Sequence, residues 1–181
     1  MISYLFNKDL FKVLSLFSIS PGSRFKRNEI KDKTMLYNIN LNKALNRLIN
    51  LNLLKKDKNY YQINFENEIK NKIFDLVIKE YKRLREIPFK AYLLLIDFLE
   101  EISKNKKIEA YLFGSYAKLI YKENSDVDIA IINGKVNAKF IDKLKRRYGL
   151  KIELHYFEKD EFYKNKKDPL IKEIIKNGVK L

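Results

Sequence analysis

Residues 112–132 read LFGSYAKLIYKENSDVDIAII: an apolar strand end, a glycine-serine turn and, after ten intervening residues, two aspartates one residue apart. The run 108–113 (IEAYLF) is short, apolar and aromatic, and Gly114 ends it ahead of a segment, 116–121, that can be helical. A strand therefore feeds a helix through Gly114 and Ser115. Glycine lets another backbone or a phosphate come close, and the free N–H groups that open a helix favour an anion, so the Ser115 hydroxyl is expected beside phosphate oxygens. Lys118, one turn along, adds a positive point charge near the same anion.

Residues 126–132 (DVDIAII) read as a mostly apolar strand. Side chains alternate faces along a strand, so Asp126 and Asp128 project on the same side. Two carboxylates on one face make a hard-cation site, and Mg²⁺ commonly takes one or two carboxylates together with substrate phosphates. The next apolar run, 150–157 (LKIELHYF), carries Glu153 between Ile152 and Leu154 in a segment that otherwise looks buried. If the two strands pair, Glu153 completes the oxygen cluster and helps to activate an attacking hydroxyl, as two-metal phosphoryl chemistry requires. Each signal alone has a plainer reading: glycine-serine pairs after strands are common, and Asp-x-Asp often guards a strand edge. Their conjunction points to a metal-nucleotide site.

At these residues the chain resembles the nucleotidyltransferase superfamily of DNA polymerase β, and within it the minimal nucleotidyltransferases. Their signature is a Gly-Ser turn, ten or so residues, Asp-hydrophobic-Asp, and a later acid on a neighbouring strand. The matching positions are Gly114, Ser115, Ala117, Ser125, Asp126, Asp128 and Glu153, and the tail 169–181 (PLIKEIIKNGVKL) resembles the family's closing helix and final turn. The likeness spans about 89–181. Where the family commonly has Ala-Arg-Gly, this chain has Ala117-Lys118-Leu119, without the glycine that brings the loop close to the triphosphate. The resemblance implies transfer of a nucleoside monophosphate, expected to be AMP from ATP, to a hydroxyl acceptor with release of pyrophosphate. It implies two Mg²⁺ ions on Asp126 and Asp128, with Glu153 completing the shell of the catalytic ion, and Gly114, Ser115, Lys118 and Ser125 on the nucleotide. Superfamily members modify proteins, antibiotics or RNA ends. Many minimal members are antitoxins that adenylylate a partner toxin of the helical nuclease type, which makes a toxin-like protein the expected acceptor.

The first third of the chain has a different character. Segment 8–17 carries Leu10, Val13, Leu14 and Phe17 on one helical face; 28–33 fits a second short helix and 40–50 a third. In the third, Leu41, Ala44, Leu45 and Leu48 point inward, leaving Asn42, Lys43, Asn46, Arg47 and Asn50 as an amide and basic stripe. Residues 53–55 and 60–64 look like two strands around the turn 56–59. Three helices and such a wing resemble a winged helix-turn-helix domain over 1–65. In such domains the later helix enters the major groove of double-stranded DNA, where asparagine pairs with adenine and arginine with guanine. Asn42, Lys43, Asn46 and Arg47 are the candidate base readers. Lys55, Lys56 and Lys58 of the wing, with Arg24, Lys26 and Arg27, are candidates for phosphates. Residues 1–65 hold twelve Lys/Arg against four Asp/Glu, so this shorter part carries slightly more than half of the chain's net +15. That is the footprint of a polyanion binder. The alternatives are a dimerisation or protein-docking module and an ordinary solvated face, since the chain is rich in lysine and asparagine throughout. A homodimer is the expectation for a regulator that binds paired half-sites.

Between these parts, 66–84 places Ile69, Ile73, Leu76, Val77 and Leu84 near helical spacing, which reads as a connecting helix over 66–88. Pro88 breaks it and a helix follows at 91–102. From 89 the order of elements is helix, strand, helix, strand, helix, strand and final helix. The expected class is therefore an α/β (α+β) nucleotidyltransferase domain with a mixed sheet over 89–181, preceded by a mainly α winged-helix domain. At 181 residues and 46% hydrophobic content, two small cores are affordable. The absence of cysteine excludes disulfides, thiolate catalysis and cysteine-ligated metals, and suits a cytoplasmic protein. The longest apolar stretch, 91–96, is far below the roughly 18 residues of a membrane span, so no membrane partner is expected. The lone His155 cannot build a histidine metal site; it shares a strand face with Glu153, and a packed or solvated role is the plainer reading. Three functions are consistent with these features: an ATP-dependent transferase, a DNA-binding regulator whose transferase domain senses nucleotide, and an antitoxin that masks its toxin without chemistry.

Overall fold

The computed structural model describes residues 7–66, 68–84, 86–105 and 107–181, without the side chains of 68–71. The chain divides into two compact units, Met1–Arg83 and Leu84–Leu181.

In the N-terminal unit, α1 (Lys8–Ile19) is capped by the Asn7 side chain, which accepts from the Asp9 and Leu10 N–H groups. It is buried on all sides: α2 (Arg27–Thr34), α3 (Asn38–Asn50) and α4 (Glu68–Arg83) all pack against it. Helix α3 buries Leu41, Ala44, Leu45 and Leu48, the stripe read from its spacing. Strands β2 (Leu54–Asp57) and β3 (Tyr60–Ile63) form an antiparallel hairpin through a turn with Lys58 at φ 51°. A two-residue strand, β1 (Phe25–Lys26), pairs with the other edge of β3, giving the order β1-β3-β2. Helix α4, expected as a connector, packs on α1 within this unit. Its buried apolar residues are Phe74 and Val77, whereas Leu76 is 50% exposed, which corrects the stripe read from spacing: Phe74, three residues before Val77, takes the inward position, and Leu84 lies beyond the end of the helix. The Ile69 side chain lies outside the described residues.

In the C-terminal unit the order is α5 (Phe89–Ile102), β4 (Glu109–Phe113), α6 (Gly114–Lys118), β5 (Val127–Ile132), α7 (Ala138–Tyr148), β6 (Ile152–Phe157), α8 (Lys159–Lys164), α9 (Pro169–Asn177) and β7 (Val179–Lys180). The sheet order is β6-β5-β4-β7, with β5 and β6 parallel and the other pairs antiparallel, so the sheet is mixed as expected. Helix α7 makes the parallel crossover; Asn137 caps its start and Gly149, at φ 54°, ends it in the left-handed conformation that glycine adopts without a steric penalty. Asp168 caps α9 by accepting from Leu170 and Ile171 N–H, with Pro169 in the first turn. One sheet face carries Phe113, Ala130 and Ile132 into an apolar cluster with Phe162 of α8 and Ile171 and Ile174 of α9. Val127, Ile129 and Ile131 of β5 alternate to the opposite face and are fully buried, so both faces of the central strand are covered.

Several features were not expected. The short strand β1 joins the hairpin, α8 intervenes between β6 and the final helix, and the tail after α9 forms β7, a fourth strand paired with β4 at Tyr111 and Leu112. Strand β6 lies at the sheet edge, and Glu153 is 55% exposed, which corrects the expectation that it sits in a buried run. No helix among the described residues is long and apolar enough to cross a membrane.

Candidate active site

Three strand ends build the site. In the antiparallel β4–β5 pair Phe113 faces Asp128, and in the parallel β5–β6 pair Asp128 faces Glu153. Directly paired residues project on one face. Asp128 and Glu153 therefore stand side by side at the end of the face whose continuation, Ala130 and Ile132, is sealed by α8 and α9. His155, two residues beyond Glu153, shares that face, and its Nε2 is 3.2 Å from Glu153 Oε1. Donor atoms of Asp128, Glu153 and His155 all lie within 4.8 Å of one another. The histidine read as packed or solvated thus stands among the acids, and the Glu153/His155 spacing of two on one strand was the signal for it.

Gly114 fits this cluster by necessity. Its φ is +65°, and a Cβ built on it would overlap the Asp128 carboxylate. A side chain here would be strained by the backbone and would displace the acid. Among the described residues, the contact that requires glycine at 114 is with Asp128. The backbone N–H of the next residue, Ser115, acts on Asp128 in the opposite sense to its acidic neighbours, favouring the ionised carboxylate.

Burial pushes the Asp128 carboxyl above the ordinary carboxylate range, and the negative charges of Glu153 and Asp126 push it further, against partial relief from His155 and the Ser115 N–H. Asp126, just before β5, is part-buried, and its Oδ1 is buried without a hydrogen-bond partner among the described residues. Its charge also helps, after burial and Tyr121, to raise the hydroxyl of Tyr116, which stacks on Tyr121 with ring centroids 4.8 Å apart. Asp126 and Glu153 both line an open groove of about 550 Å³, rimmed by Lys145, Arg146 and Lys151. Mutually repelling carboxylates, one with an orphaned buried oxygen, are the donor set that a divalent cation neutralises.

The other candidates for the nucleotide, Lys118 and Ser125, have partners within the chain. Lys118 pairs with Glu173 of α9 at 2.6 Å, and the Ser125 hydroxyl accepts from the Lys122 N–H at 2.8 Å, closing the 122–125 turn. Helix α6 stops at Lys118, because Leu119 turns to φ 60°.

A stability test of the cluster follows from linkage. A carboxyl whose folded-state pKa is raised stabilises the fold while protonated, and that contribution is lost as pH rises through the folded value. In metal-free protein, Asp128→Asn should therefore unfold at higher denaturant than wild type at neutral pH. The gap should close as pH falls below the raised Asp128 pKa. Equal midpoints at both pH values would show that the repulsion is absent.

Residues 94–181 match the family model of the nucleotidyltransferase domain. This domain match covers the strand ends just described and agrees with the resemblance drawn from residues 112–132. The mixed sheet and the acidic cluster are consistent with a nucleotidyltransferase domain, and the match supports nucleotidyl transfer as the general activity. Comparison with curated proteins gave no match, and neither did comparison with solved structures.

The N-terminal unit lies outside the match. On α3, Asn42, Lys43, Asn46 and Arg47 are exposed. Arg27 Nε donates to Asn42 Oδ1 at 2.9 Å, while Lys43 and Arg47 line a groove with Asn40 and Asp9. In the hairpin, Lys55 pairs with Glu66 at 3.3 Å, Lys56 lies 5.7 Å from the centre of the Tyr61 ring, and Lys58 sits exposed in the turn. Arg24 pairs with Asp57 at 2.8 Å.

Proposed function

We propose that this protein transfers a nucleoside monophosphate, AMP from ATP, to a hydroxyl on a macromolecular acceptor, a toxin-like partner protein. The observation that carries the reading is the pairing of Asp128 with Glu153 across the parallel strands, beside the Gly114 turn, within a segment that matches the nucleotidyltransferase domain. Asp126, Asp128 and Glu153 hold the divalent cations, expected to be Mg²⁺. When bound, these ions neutralise the triphosphate and lower the pKa of an attacking oxygen. The chain's own residues do the rest. Gly114 leaves space for the Asp128 carboxylate, and strand pairing sets it beside Glu153, so the acids are oriented before substrate arrives. Glu153, exposed and paired with His155, accepts the proton of the attacking hydroxyl. The acceptor oxygen forms a bond to the α-phosphorus, the bond from that phosphorus to the bridging oxygen breaks, and pyrophosphate leaves with the electron pair. Lys145, Arg146 and Lys151 at the groove rim attract phosphates.

The test uses α-labelled and γ-labelled ATP with Mg²⁺ and a cell lysate as acceptor source. Label from the α position should become attached to a macromolecule and label from the γ position should not. Attachment of γ label would make the chain a phosphotransferase and reject the reading.

The exposed face of α3 favours a second, compatible reading, in which the N-terminal unit is a winged helix-turn-helix that tethers the transferase to DNA. Asn46 and Arg47 reach base edges and Lys55, Lys56 and Lys58 contact phosphates. Binding of the full chain to duplex DNA should then fall steeply with salt, and Arg47→Ala should weaken it by about 1–3 kcal/mol at a guanine-containing site. A mobility shift that is absent even at low salt rejects this role.

A further inference from the structure

His155 is the feature of the acid cluster that carboxylate–Mg²⁺ chemistry leaves unused. Its imidazole is neither loose nor free to turn away. It is 28% exposed, its Nε2 is 3.2 Å from Glu153 Oε1, and the ring of Phe113 packs edge-on with centroids 5.2 Å apart. Its cross-strand neighbour on β5 is Ala130, whose single methyl leaves the imidazole room on the face shared with Asp128. Donors on one ion with bonds of about 2.0–2.2 Å lie roughly 3–4 Å apart, and donor atoms of Asp128, Glu153 and His155 all fall within 4.8 Å. The three donors thus stand close to the spacing that one shared ion requires. Independently, Asp126, whose Oδ1 is buried without a hydrogen-bond partner among the described residues, lines the same groove as Glu153.

We propose that His155 is a nitrogen ligand of the catalytic cation, so that this site takes Mn²⁺, Co²⁺ or Zn²⁺ in preference to Mg²⁺. Mg²⁺ is a hard ion that seeks oxygen and keeps its waters, whereas imidazole suits the borderline first-row metals. A site of two carboxylates and one imidazole departs from all-oxygen chemistry in that direction. The inference rests on the transferase reading in that the same acids hold the cation, but it concerns the ion's class and the histidine's bond to it.

The chain contains one histidine, so ¹⁵N-histidine labelling of the full protein gives a single pair of imidazole nitrogen signals. Addition of Zn²⁺ should shift one of them as a bond forms, Co²⁺ should move or broaden it through its unpaired electrons, and Mg²⁺ should leave both nearly unchanged. By calorimetry His155→Gln should weaken Mn²⁺ about tenfold or more while leaving Mg²⁺ affinity unaltered. In Asp128→Ala protein the Zn²⁺-induced shift should vanish. A shift of the same size in that variant would mean that His155 takes metal without the acid cluster, which overturns the proposal. Cation binding seen by calorimetry with silent His155 nitrogens also overturns it, and leaves the transferase reading intact. If calorimetry detects no divalent cation of any kind, both fall together.

Discussion

Gly114→Ala is expected to destabilise the protein by at least about 2 kcal/mol and to remove its transfer activity. A non-glycine residue held in the left-handed region costs roughly 1–2 kcal/mol, and at φ +65° the backbone of Gly114 imposes that cost in full. The new methyl would also occupy the space of the Asp128 carboxylate. Either the turn opens or the acid swings away from Glu153. Gly149 supplies the comparison: it too has positive φ, at +54°, but a Cβ there meets only Lys90 Nζ at 3.5 Å. Gly149→Ala should cost only about 1 kcal/mol, from backbone conformation, and keep activity. Denaturant melts and label transfer on the two variants separate the effects. Equal destabilisation with activity kept in both would show that Asp128 does not depend on the missing side chain at residue 114.

Asp128→Ala should lower α-label transfer by roughly a thousandfold. A bound cation contributes several kcal/mol of transition-state charge stabilisation, and about 1.4 kcal/mol corresponds to each tenfold in rate. The fold should survive, because the substitution relieves repulsion in a group that burial and Glu153 already hold against ionisation. Glu153→Ala should fall to a similar level, and the double variant little lower, since residues that act as a unit are not additive. Two moderate, multiplicative losses would mean that the acids act on separate steps.

Much of this site was legible in 112–132 because each element there has a local cause. The apolar run before Gly114 makes β4, and the alternation in DVDIAII sends Asp128 to the face of Ala130 and Ile132; Asp126 precedes β5, and the donor atoms within 4.8 Å of one another are those of Asp128, Glu153 and His155. The pairing of Glu153 with Asp128 followed from adjacency of consecutive strands. What stayed hidden depends on the order of strands in space. Nothing local marks β6 as an edge, so Glu153 read as buried among Ile152 and Leu154. The two-residue strands β1 and β7 are too short to show a period, and they exist because β3 and β4 offer them unpaired edges. The pairing of Lys118 with Glu173 was not legible because that acid lies in a helix far along the chain. His155 was discounted as a lone imidazole, although two positions along a strand from Glu153 is the closest same-face spacing available.

The most direct measurement is calorimetric titration of ATP into wild-type and Asp128→Ala protein, each with and without divalent cation. Wild type should bind ATP markedly more tightly when Mg²⁺ or Mn²⁺ is present, and the variant should lose that dependence while keeping its fold. ATP binding that ignores the cation and is untouched by Asp128→Ala would contradict the account, because the acids would then hold neither metal nor nucleotide.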